Sequence, residues 1–491
     1  MSSNTLPSPG QARIPTGITG LDRILGGGLP GPRLYLLQGA PGTGKTTLAL
    51  QFLLAGVERD EKVVYVTLSQ SRQELEQIAA SHGWSTDGLV IEELQSADII
   101  EAASDQTVFH SAEVRLDHTR RAVEEAVRKH APARVVYDSL LEIRQLARDG
   151  LRFRREILGF KAFLNARSIA TLMIDTEAEF GGDRQLEGVA HGILRLDKFL
   201  PEYGVARRRI EVKKMRGVSF SDGYHDITIR TGAGVEVYPR IVPSLAPESG
   251  RSELIRSGVA ALDEMLGGGQ EAGTTTLVVG QAGTGKSTMA SLYARAALER
   301  GEDVAMFLFE ERLETFFRRS EGLGMDLRPH RASGRLRIWD FNPAEISPGE
   351  FGQIVQKAVE GDDIRVVLID SFTGYLNALP RGDQAVLEIQ SLLKYLSRRG
   401  ILTILVVAQH GLLGHNLGTE VDVSFLGDTV ILLRMYEWPG VVRRTITVVK
   451  KRHGPHDMAV HELMISEDGV QVAAFNPPPP GAPGPIGHDR S

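Results

Sequence analysis

The chain has 491 residues, which is too long for one hydrophobic core of ordinary size, so its length predicts two or three domains. Its composition, 42% hydrophobic and 24% charged, is that of a globular protein, and the lack of cysteine excludes disulfides, thiolate zinc sites and cysteine nucleophiles. With 56 basic and 62 acidic residues, the net charge of -6 excludes a global basic field for nucleic acid or anionic membranes. The apolar runs are no longer than strands and the N-terminus resembles no signal peptide, so we expect a cytoplasmic protein without membrane spans.

The chain contains a long internal repeat. The segment 14–47 returns at 255–288 without a gap, so Lys45 of the first copy corresponds to Lys286 of the second. Because each half is long enough to bury its own core, the repeat indicates a duplication of whole domains. We predict an N-terminal domain over 1–245, a C-terminal domain over 246–475 with a linker near 242–253, and a disordered Pro-rich tail over 476–491.

In both halves, apolar strand-like segments alternate with amphipathic helical segments. This pattern is typical of the α/β fold class, with a mostly parallel sheet covered by helices. In the second half we predict strands near 274–280, 304–309, 365–370 and 401–408, and helices near 286–300 and 383–399. The segments 429–435 and 443–452 are predicted to form a strand pair that closes the edge of the sheet.

Two glycine-rich loops, GAPGTGKTT and GQAGTGKST, match the phosphate-binding pattern G-x-x-x-x-G-K-[ST]. Each follows a predicted strand and precedes a predicted helix, so backbone N–H groups and the helix dipole can face phosphate oxygens. Lys45 and Lys286 are predicted to reach the β- and γ-phosphates of ATP. The predicted ATP-binding residues are Gly39, Gly42, Thr43, Gly44, Lys45, Thr46 and Thr47 in the first half, and Gly280, Gly283, Thr284, Gly285, Lys286, Ser287 and Thr288 in the second.

An apolar strand that ends in aspartate should follow each loop, to hold the ligand shell of Mg²⁺. The segments RVVYDS and RVVLIDS supply Asp138 and Asp370 at such positions. With the hydroxyls of Thr46 and Ser287, these carboxylates are the predicted metal ligands, and the predicted cofactors are ATP and Mg²⁺.

The two halves differ at the end of the strand that follows the loop helix. VVYVTL leads into Ser69-Gln70, whereas VAMFLF leads into Glu310-Glu311 at the same distance from the lysine. Hydrolysis needs a group that orients or deprotonates the attacking water, and loss of such a base lowers the rate by about 10² to 10⁴. We predict that the first domain binds ATP but turns it over slowly, and that Glu310, Glu311 and Lys286 are catalytic in the second. The alternative is that the two glutamates only begin a solvated helix.

Together these motifs resemble the KaiC family, the circadian-clock ATPases of the RecA superfamily, over nearly the whole chain. The resemblance includes the opening pattern G-[IV]-x-x-LD-x-x-LGGG, and the duplication makes it specific. It implies two tandem RecA-like P-loop ATPase domains and a homo-hexameric double ring with ATP between neighbouring subunits. It also implies a KaiB-like or other signalling protein as partner, whereas the tail gives no support for a KaiA-type partner.

The resemblance assigns a role to the basic residues near the end of each half. Lys214 and Arg216, and likewise Lys450 and Arg452, would reach the γ-phosphate bound by the neighbouring subunit. The alternative is a basic edge strand that opposes pairing between sheets.

The resemblance also implies autophosphorylation of an adjacent serine and threonine in the second domain. Counted back from Asp428, this pair falls on Ser424 and Phe425, with Thr419 nearby. The serine is kept and the threonine is replaced, so a two-site cycle is not expected. Single-site serine/threonine autokinase activity on Ser424 and an inert Ser424 both stay open.

Two further readings stay open. Arg152, Arg154 and Arg155 suggest a DNA-dependent ATPase of the recombinase or helicase type, but we favour a helix face or subunit contact because Phe153 is the only aromatic residue among them. A non-catalytic scaffold, in which nucleotide only holds a ring together, fits Ser69-Gln70 in one half. Separately, Gln409-His410 end a predicted strand and are candidates for sensing the γ-phosphate.

Overall fold

The structure is a computed structural model, and it describes residues 12–94, 111–147, 149–176, 184–200, 205–245, 253–360, 364–377, 383–409, 424–438 and 441–476. The chain divides into two compact units, Met1–Pro201 with Ala206–Arg240, and Ile241–Ser491 with Glu202–Val205. The predicted tail lies outside the described residues from position 477 onward.

The first unit alternates strands and helices along the chain. Its strands are β1 (Arg13–Ile14), β2 (Leu29–Pro30), β3 (Leu34–Gly39), β4 (Val63–Thr67), β5 (Leu89–Glu93), β6 (Arg134–Asp138), β7 (Ala170–Thr176), β8 (Gly192–Phe199), β9 (Arg207–Met215), β10 (Tyr224–Arg230) and β11 (Gly234–Tyr238). Its helices are α1 (Thr19–Ile24), α2 (Lys45–Val57), α3 (Arg72–Ser81), α4 (Ser111–His130), α5 (Leu140–Ala147), α6 (Gly150–Asn165) and α7 (Arg184–Val189).

One nine-stranded sheet organises this unit, in the order β11-β10-β9-β8-β3-β7-β6-β4-β5. The strands from β8 to β5 are parallel, and β9, β10 and β11 continue the sheet antiparallel. Both faces of β3 are covered, because Tyr35 and Leu37 enter one core cluster while Leu34 and Leu36 enter another. A parallel strand buried on both faces reads as a continuous apolar run, as LYLLQG does.

The second unit repeats this element order. Its strands are β12 (Leu254–Ile255), β13 (Gln270–Glu271), β14 (Thr275–Gly280), β15 (Asp303–Leu308), β16 (Leu336–Asp340), β17 (Ile364–Asp370), β18 (Leu402–Ala408), β19 (Thr429–Trp438), β20 (Val441–Lys451), β21 (His461–Ser466) and β22 (Gly469–Ala474). Its helices are α8 (Ala260–Met265), α9 (Lys286–Glu299), α10 (Leu313–Glu321), α11 (Arg328–Ala332), α12 (Pro348–Val359), α13 (Phe372–Asn377) and α14 (Asp383–Arg398), with 3₁₀ turns at Pro243–Leu245 and Ser424–Leu426. Among the residues described in either unit, no helix is both long enough and apolar enough to cross a membrane.

The second sheet has the order β16-β15-β17-β18-β14-β19-β20-β21-β22, which is the first order read from its other end. The strands from β16 to β19 are parallel, and helices lie along the chain between β14 and β15, β15 and β16, β16 and β17, and β17 and β18. The α/β fold class and the tandem P-loop architecture are therefore confirmed. The predicted central strands and the two predicted helices agree with the structure to within one residue at each end.

The predicted edge of the second sheet is wrong. β19 is not beyond the parallel strands, because it pairs parallel with the loop strand β14. β20 pairs antiparallel with β19 as predicted, but β21 and β22 follow it and form the edge. The short segments HELMIS and GVQVAA carry too little apolar periodicity to be recognised as strands from sequence alone.

Candidate nucleotide-binding and hydrolysis sites

Each glycine-rich loop connects the end of a central strand to the start of a buried helix. Gly44 and Gly285 lie directly before α2 and α9 with φ of 105° and 99°, in the left-handed region that glycine tolerates. A Cβ at Gly44 would lie 2.5 Å from Ile229 Cδ1, and one at Gly285 would lie 2.3 Å from Ile465 Cδ1. Both loops therefore need glycine at this position, because the backbone is left-handed there and an isoleucine methyl group occupies the space of a Cβ.

The lysine of each loop folds back over it. Lys45 Nζ donates to the carbonyls of Gly39 at 2.7 Å and Ala40 at 2.9 Å, and Lys286 Nζ donates to Gln281 O at 2.7 Å. Burial lowers the pKa of Lys286, and the carboxylates of Asp370 and Glu310 oppose this shift. The N–H groups of each ammonium now bond to loop carbonyls. Phosphate oxygens can replace these carbonyls as acceptors, so the loops fit a nucleotide.

The remaining loop residues brace this arrangement. Thr43 Oγ1 donates to Ala40 O at 2.9 Å, and Thr284 Oγ1 donates to Gln281 O at 2.8 Å. Both threonines are fully buried, and Thr47 and Thr288 are buried in the first turn of their helices. Hydroxyls that bond within the loop fix its shape before any ligand binds.

The predicted metal ligands meet in the second unit. Burial raises the pKa of Asp370, and the hydroxyl of Ser287, which donates a hydrogen bond to this carboxylate, opposes the rise. Asp370 ends β17, beside the helix start that carries Ser287. A carboxylate and a hydroxyl in contact at the loop are the donor set that Mg²⁺ takes in P-loop ATPases, so these residues fit the metal.

In the first unit a tyrosine stands between the corresponding residues. Tyr65 on β4 donates from its hydroxyl to Asp138 Oδ2 at 2.6 Å, and the hydroxyl of Thr46 in turn bonds to Tyr65. Burial and the Asp138 charge raise the pKa of Tyr65 well above its ordinary value, so it stays a neutral donor. The counterpart of Tyr65 is Met306, so only the first unit has this link. The sequence analysis missed Tyr65.

The ends of β4 and β15 are in the same register. The backbone N–H of Leu68 donates to Asp138 O at 2.8 Å, and that of Phe309 donates to Asp370 O at 2.7 Å. The next residue in each half is Ser69 or Glu310. The exchange of serine for glutamate is therefore a real difference between two equivalent positions.

The two adjacent glutamates of the second unit point to different partners. Glu310 Oε1 accepts from Ser371 Oγ at 2.7 Å, and its charge acts on Lys286 and on Asp370. Glu311 forms a two-point ion pair with Arg319 of α10, at 3.1 and 2.8 Å. The charges of both glutamates act on Asp370, and that of Glu310 also acts on the P-loop lysine.

Each loop also receives an arginine from the antiparallel part of its own sheet. Arg208 Nε donates to Gly42 O at 3.5 Å, and Arg444 Nε donates to Gly283 O at 3.0 Å. These arginines lie on β9 and β20 at equivalent positions. The sequence analysis missed both, although the similar runs RRRIEVKK and RRTITVVKK were the available signal.

The basic residues assigned to a neighbour's nucleotide lie near the start of the strand that pairs with the loop strand, and not at its loop end. Lys450 pairs with Val430 near the start of β19, whereas the loop end of β14, Gly280, pairs with Leu433. Three residues along a strand correspond to about 10 Å. Lys450 Nζ instead donates to Gly427 O at 2.7 Å.

The other three basic residues assigned to a neighbour's nucleotide also have polar partners within their own unit. Arg452 contacts Asp428 Oδ1 at 3.3 Å. In the first unit, Lys214 donates to Glu187 O and Arg216 donates to Gly188 O at 2.7 Å. Burial and Arg216 both lower the pKa of Lys214.

The predicted phosphoacceptor region is described only in part. Ser424 begins the 3₁₀ turn that precedes Asp428, and Phe425 beside it is 43% exposed. Thr419 and His410 lie outside the described residues. Gln409 follows β18, and its backbone N–H donates to Gly280 O at 3.0 Å, beside the loop.

The basic cluster of the first half lies on α6. Arg152, Arg154 and Arg155 are exposed on this helix. Phe153 is 1% exposed and packs against Arg144, whose guanidinium carbon lies 5.1 Å from the ring centroid. A buried ring offers no stacking surface to nucleic-acid bases.

Comparison with known proteins identifies the family. The model of the KaiC ATPase family matches residues 14–241 and again 255–476. The circadian clock oscillator protein KaiC of Thermostichus vulcanus is 30% identical over 475 residues, which cover 94% of this chain and 89% of that protein. KaiC of Synechococcus elongatus has the same identity and coverage, and the circadian clock protein KaiC3 of a Synechocystis strain is 28% identical over 94% of this chain and 92% of its own length. The chain belongs to the KaiC family of ATPases.

Proposed function

We propose that the chain binds Mg·ATP at both P-loops and hydrolyses it mainly in the second domain. One observation carries this proposal: the carboxylate of Glu310 accepts a hydrogen bond from Ser371 and its charge acts on the loop lysine, whereas the equivalent position in the first domain is Ser69. Serine cannot act as an anionic base at neutral pH.

In the second domain, Lys286 holds the β- and γ-phosphates and Glu310 orients the attacking water. The water oxygen bonds to the γ-phosphorus, its proton passes to Glu310, and the bond to the bridging oxygen breaks with its electrons left on ADP. Ser287 and Asp370 would hold Mg²⁺, which would supply neutralising charge at the phosphates.

The proposal includes a homo-hexameric double ring, with one ring for each domain. Lys450 lies about 10 Å along the strands from its own loop, a distance that leaves it to serve a neighbouring subunit. Arg452, Lys214 and Arg216 share this placement at the start of β19 or β8. Cations supplied in trans stabilise charge on a transferring phosphoryl group.

The ring acts as a cytoplasmic timing or signalling module with single-site autokinase activity on Ser424, and Thr419 is the alternative acceptor. The names of its relatives support the timing role, since several are clock proteins. The position of Ser424 in the 3₁₀ turn that precedes β19 supports the acceptor assignment. Its output partner is a KaiB-like or other signalling protein.

The test follows free phosphate and protein-bound label together, after incubation of the full chain with γ-labelled ATP and Mg²⁺. Wild type is compared with Glu310→Gln/Glu311→Gln and with Ser424→Ala. The proposal expects the glutamate variant to lose both signals and Ser424→Ala to lose only the bound label, while the ring persists. Phosphate release without any bound label in wild type would refute the autokinase part and leave an ATPase.

A further inference from the structure

A carboxylate occupies equivalent surroundings in both domains but comes from different elements. In the second domain Glu310, at the end of β15, accepts from Ser371 Oγ at 2.7 Å. In the first domain Glu142, on α5, accepts from Ser139 Oγ at 2.9 Å. Ser139 and Ser371 are equivalent, because each follows the aspartate that ends the metal-ligand strand.

The exchange is reciprocal. The counterpart of Glu142, four residues after the aspartate, is Gly374. A Cβ at Gly374 would lie 2.7 Å from Glu310 Oε1, so the glutamate carboxylate fills the space that a side chain at that position would take. The first domain has Ser69 at the strand end and places a side chain on the helix instead. In each domain the serine after the aspartate, Ser139 or Ser371, thus donates a hydrogen bond to one glutamate carboxylate.

The charge of Glu142 also acts on the same site. Burial raises the pKa of Asp138 and of the neighbouring Tyr137, and the charge of Glu142 adds to both rises, as the charges of Glu311 and Glu310 add to that of Asp370. Glu142 is therefore close enough to the predicted metal ligand to act on charge at the first P-loop.

We propose that Glu142 is the catalytic carboxylate of the first domain. This inference rests on the proposed binding of ATP at the first P-loop. There Glu142 takes the proton of the attacking water while the oxygen bonds to the γ-phosphorus and ADP leaves with the electrons of the broken bond. The slow turnover of the first domain is then a reaction served by a carboxylate in a different position, and not a site without a base.

A helix cap is the competing explanation. Ser139 precedes α5 and Glu142 is its third residue, which is the spacing of a capping box. Ser71 and Glu74 form such a box at α3. Because glutamine serves in a capping box as glutamate does, Glu142→Gln keeps the cap and removes only the negative charge.

The experiment measures phosphate release by the full chain in a Glu310→Gln/Glu311→Gln background, where turnover by the second domain is suppressed. Adding Glu142→Gln should lower the remaining rate by about 10² to 10⁴, to that of the same background with Lys45→Ala. Glu74→Gln, the matched change in a capping box, should leave the rate unchanged. Retained nucleotide and ring size, measured on the same samples, should not change with Glu142→Gln.

Restoring the other arrangement gives a second readout. In the same Glu310→Gln/Glu311→Gln background, Glu142→Gly should abolish the remaining phosphate release. Adding Ser69→Glu to this variant should recover the rate, because it places a carboxylate at the strand end. Equal rates of phosphate release with and without Glu142→Gln would overturn the inference. So would a Glu310→Gln/Glu311→Gln background that releases phosphate no faster than the same background with Lys45→Ala. If Lys45→Ala loses no bound nucleotide, ATP binding at the first loop is refuted, and the proposed function fails together with the inference.

Discussion

Glu310 and Ser371 are joined by a hydrogen bond of 2.7 Å from the serine hydroxyl to the carboxylate. The bond ties the end of β15 to the residue that follows Asp370, so a negative charge is held beside Lys286. The neighbouring Glu311 is paired with Arg319. Adjacent residues of the same type therefore have different partners.

The two glutamates should differ when they are changed singly. Glu310→Gln should lower steady-state phosphate release by about 10² to 10⁴, because it removes the base. Glu311→Gln should lower it less, and Arg319→Gln should reproduce the Glu311→Gln effect because both break one ion pair. Rates measured at saturating ATP decide this, and a larger loss for Glu311→Gln would exchange the two roles.

Tyr65→Phe should destabilise the first domain in the absence of nucleotide. The change removes the hydroxyl that donates to Asp138 Oδ2 and leaves a buried carboxylate without that donor. Loss of a hydrogen bond to a buried group lowers the free energy of unfolding by about 1 to 3 kcal/mol. Denaturant unfolding should show this loss, and Mg·ATP should recover part of it by placing new charge at Asp138. Unchanged stability without ligand would mean that the link is not formed in solution.

The residues assigned to the neighbouring subunit are tested by mixed rings. Lys450→Ala and Lys286→Ala should each abolish most second-domain turnover, since cations supplied in trans contribute as much as about 10³ to 10⁵ in rate. Rings co-assembled from both variants should regain activity at interfaces where an intact loop meets an intact Lys450. Mixed rings as inactive as either parent, despite confirmed co-assembly, would place Lys450 and its loop in the same active site or give Lys450 a structural role.

His225 should make the first domain sensitive to acid. Its Nδ1 accepts from the backbone N–H of Arg240 at 2.8 Å and its Nε2 donates to Ser221 O at 3.0 Å, so the neutral ring satisfies both partners. Burial lowers its pKa below the ordinary 6.5. Because the unfolded chain takes up this proton more readily, the free energy of unfolding should fall as pH drops below about 6.5, by up to about 1.4 kcal/mol per pH unit, until the folded pKa is reached.

Fluorescence of Trp84 reports this unfolding in a Trp339→Phe/Trp438→Phe background, because Trp84 is the tryptophan of the first unit. His225→Gln should remove this pH-dependent contribution. His461→Gln, at the equivalent position of the second unit, should leave the pH-dependent contribution of His225 in place. The His461 ring has a different partner, Asp457, at 2.8 Å. A first unit equally stable between about pH 7 and pH 5 would contradict the assignment.

Local sequence signals predicted much of the fold. The strand RVVLID and the helix after GQAGTGK were placed to within a residue, because buried apolar runs and a glycine-rich loop leave few alternatives. The direction of β19 was not predictable in the same way, because an apolar strand reads alike whether its neighbour is parallel or antiparallel.

The site was predictable where its residues lie in one motif. Lys286 and Ser287 belong to such a motif, whereas Tyr65 contacts Asp138 across 73 positions of the chain. For Glu142 the sequence contains only a pair of opposite exchanges between the two copies. The first copy has Glu142 where the second has Gly374, and it has Ser69 where the second has Glu310. That signal has meaning only after the fold shows that the two positions share one space.

The most direct test of the division of labour is steady-state phosphate release by the full chain before and after Glu310→Gln/Glu311→Gln. Ring size and bound nucleotide are monitored on the same samples. We predict that most of the turnover disappears while the ring and its nucleotides remain. Turnover that stays at the wild-type rate without both glutamates would contradict the claim that the second domain is the main site of hydrolysis.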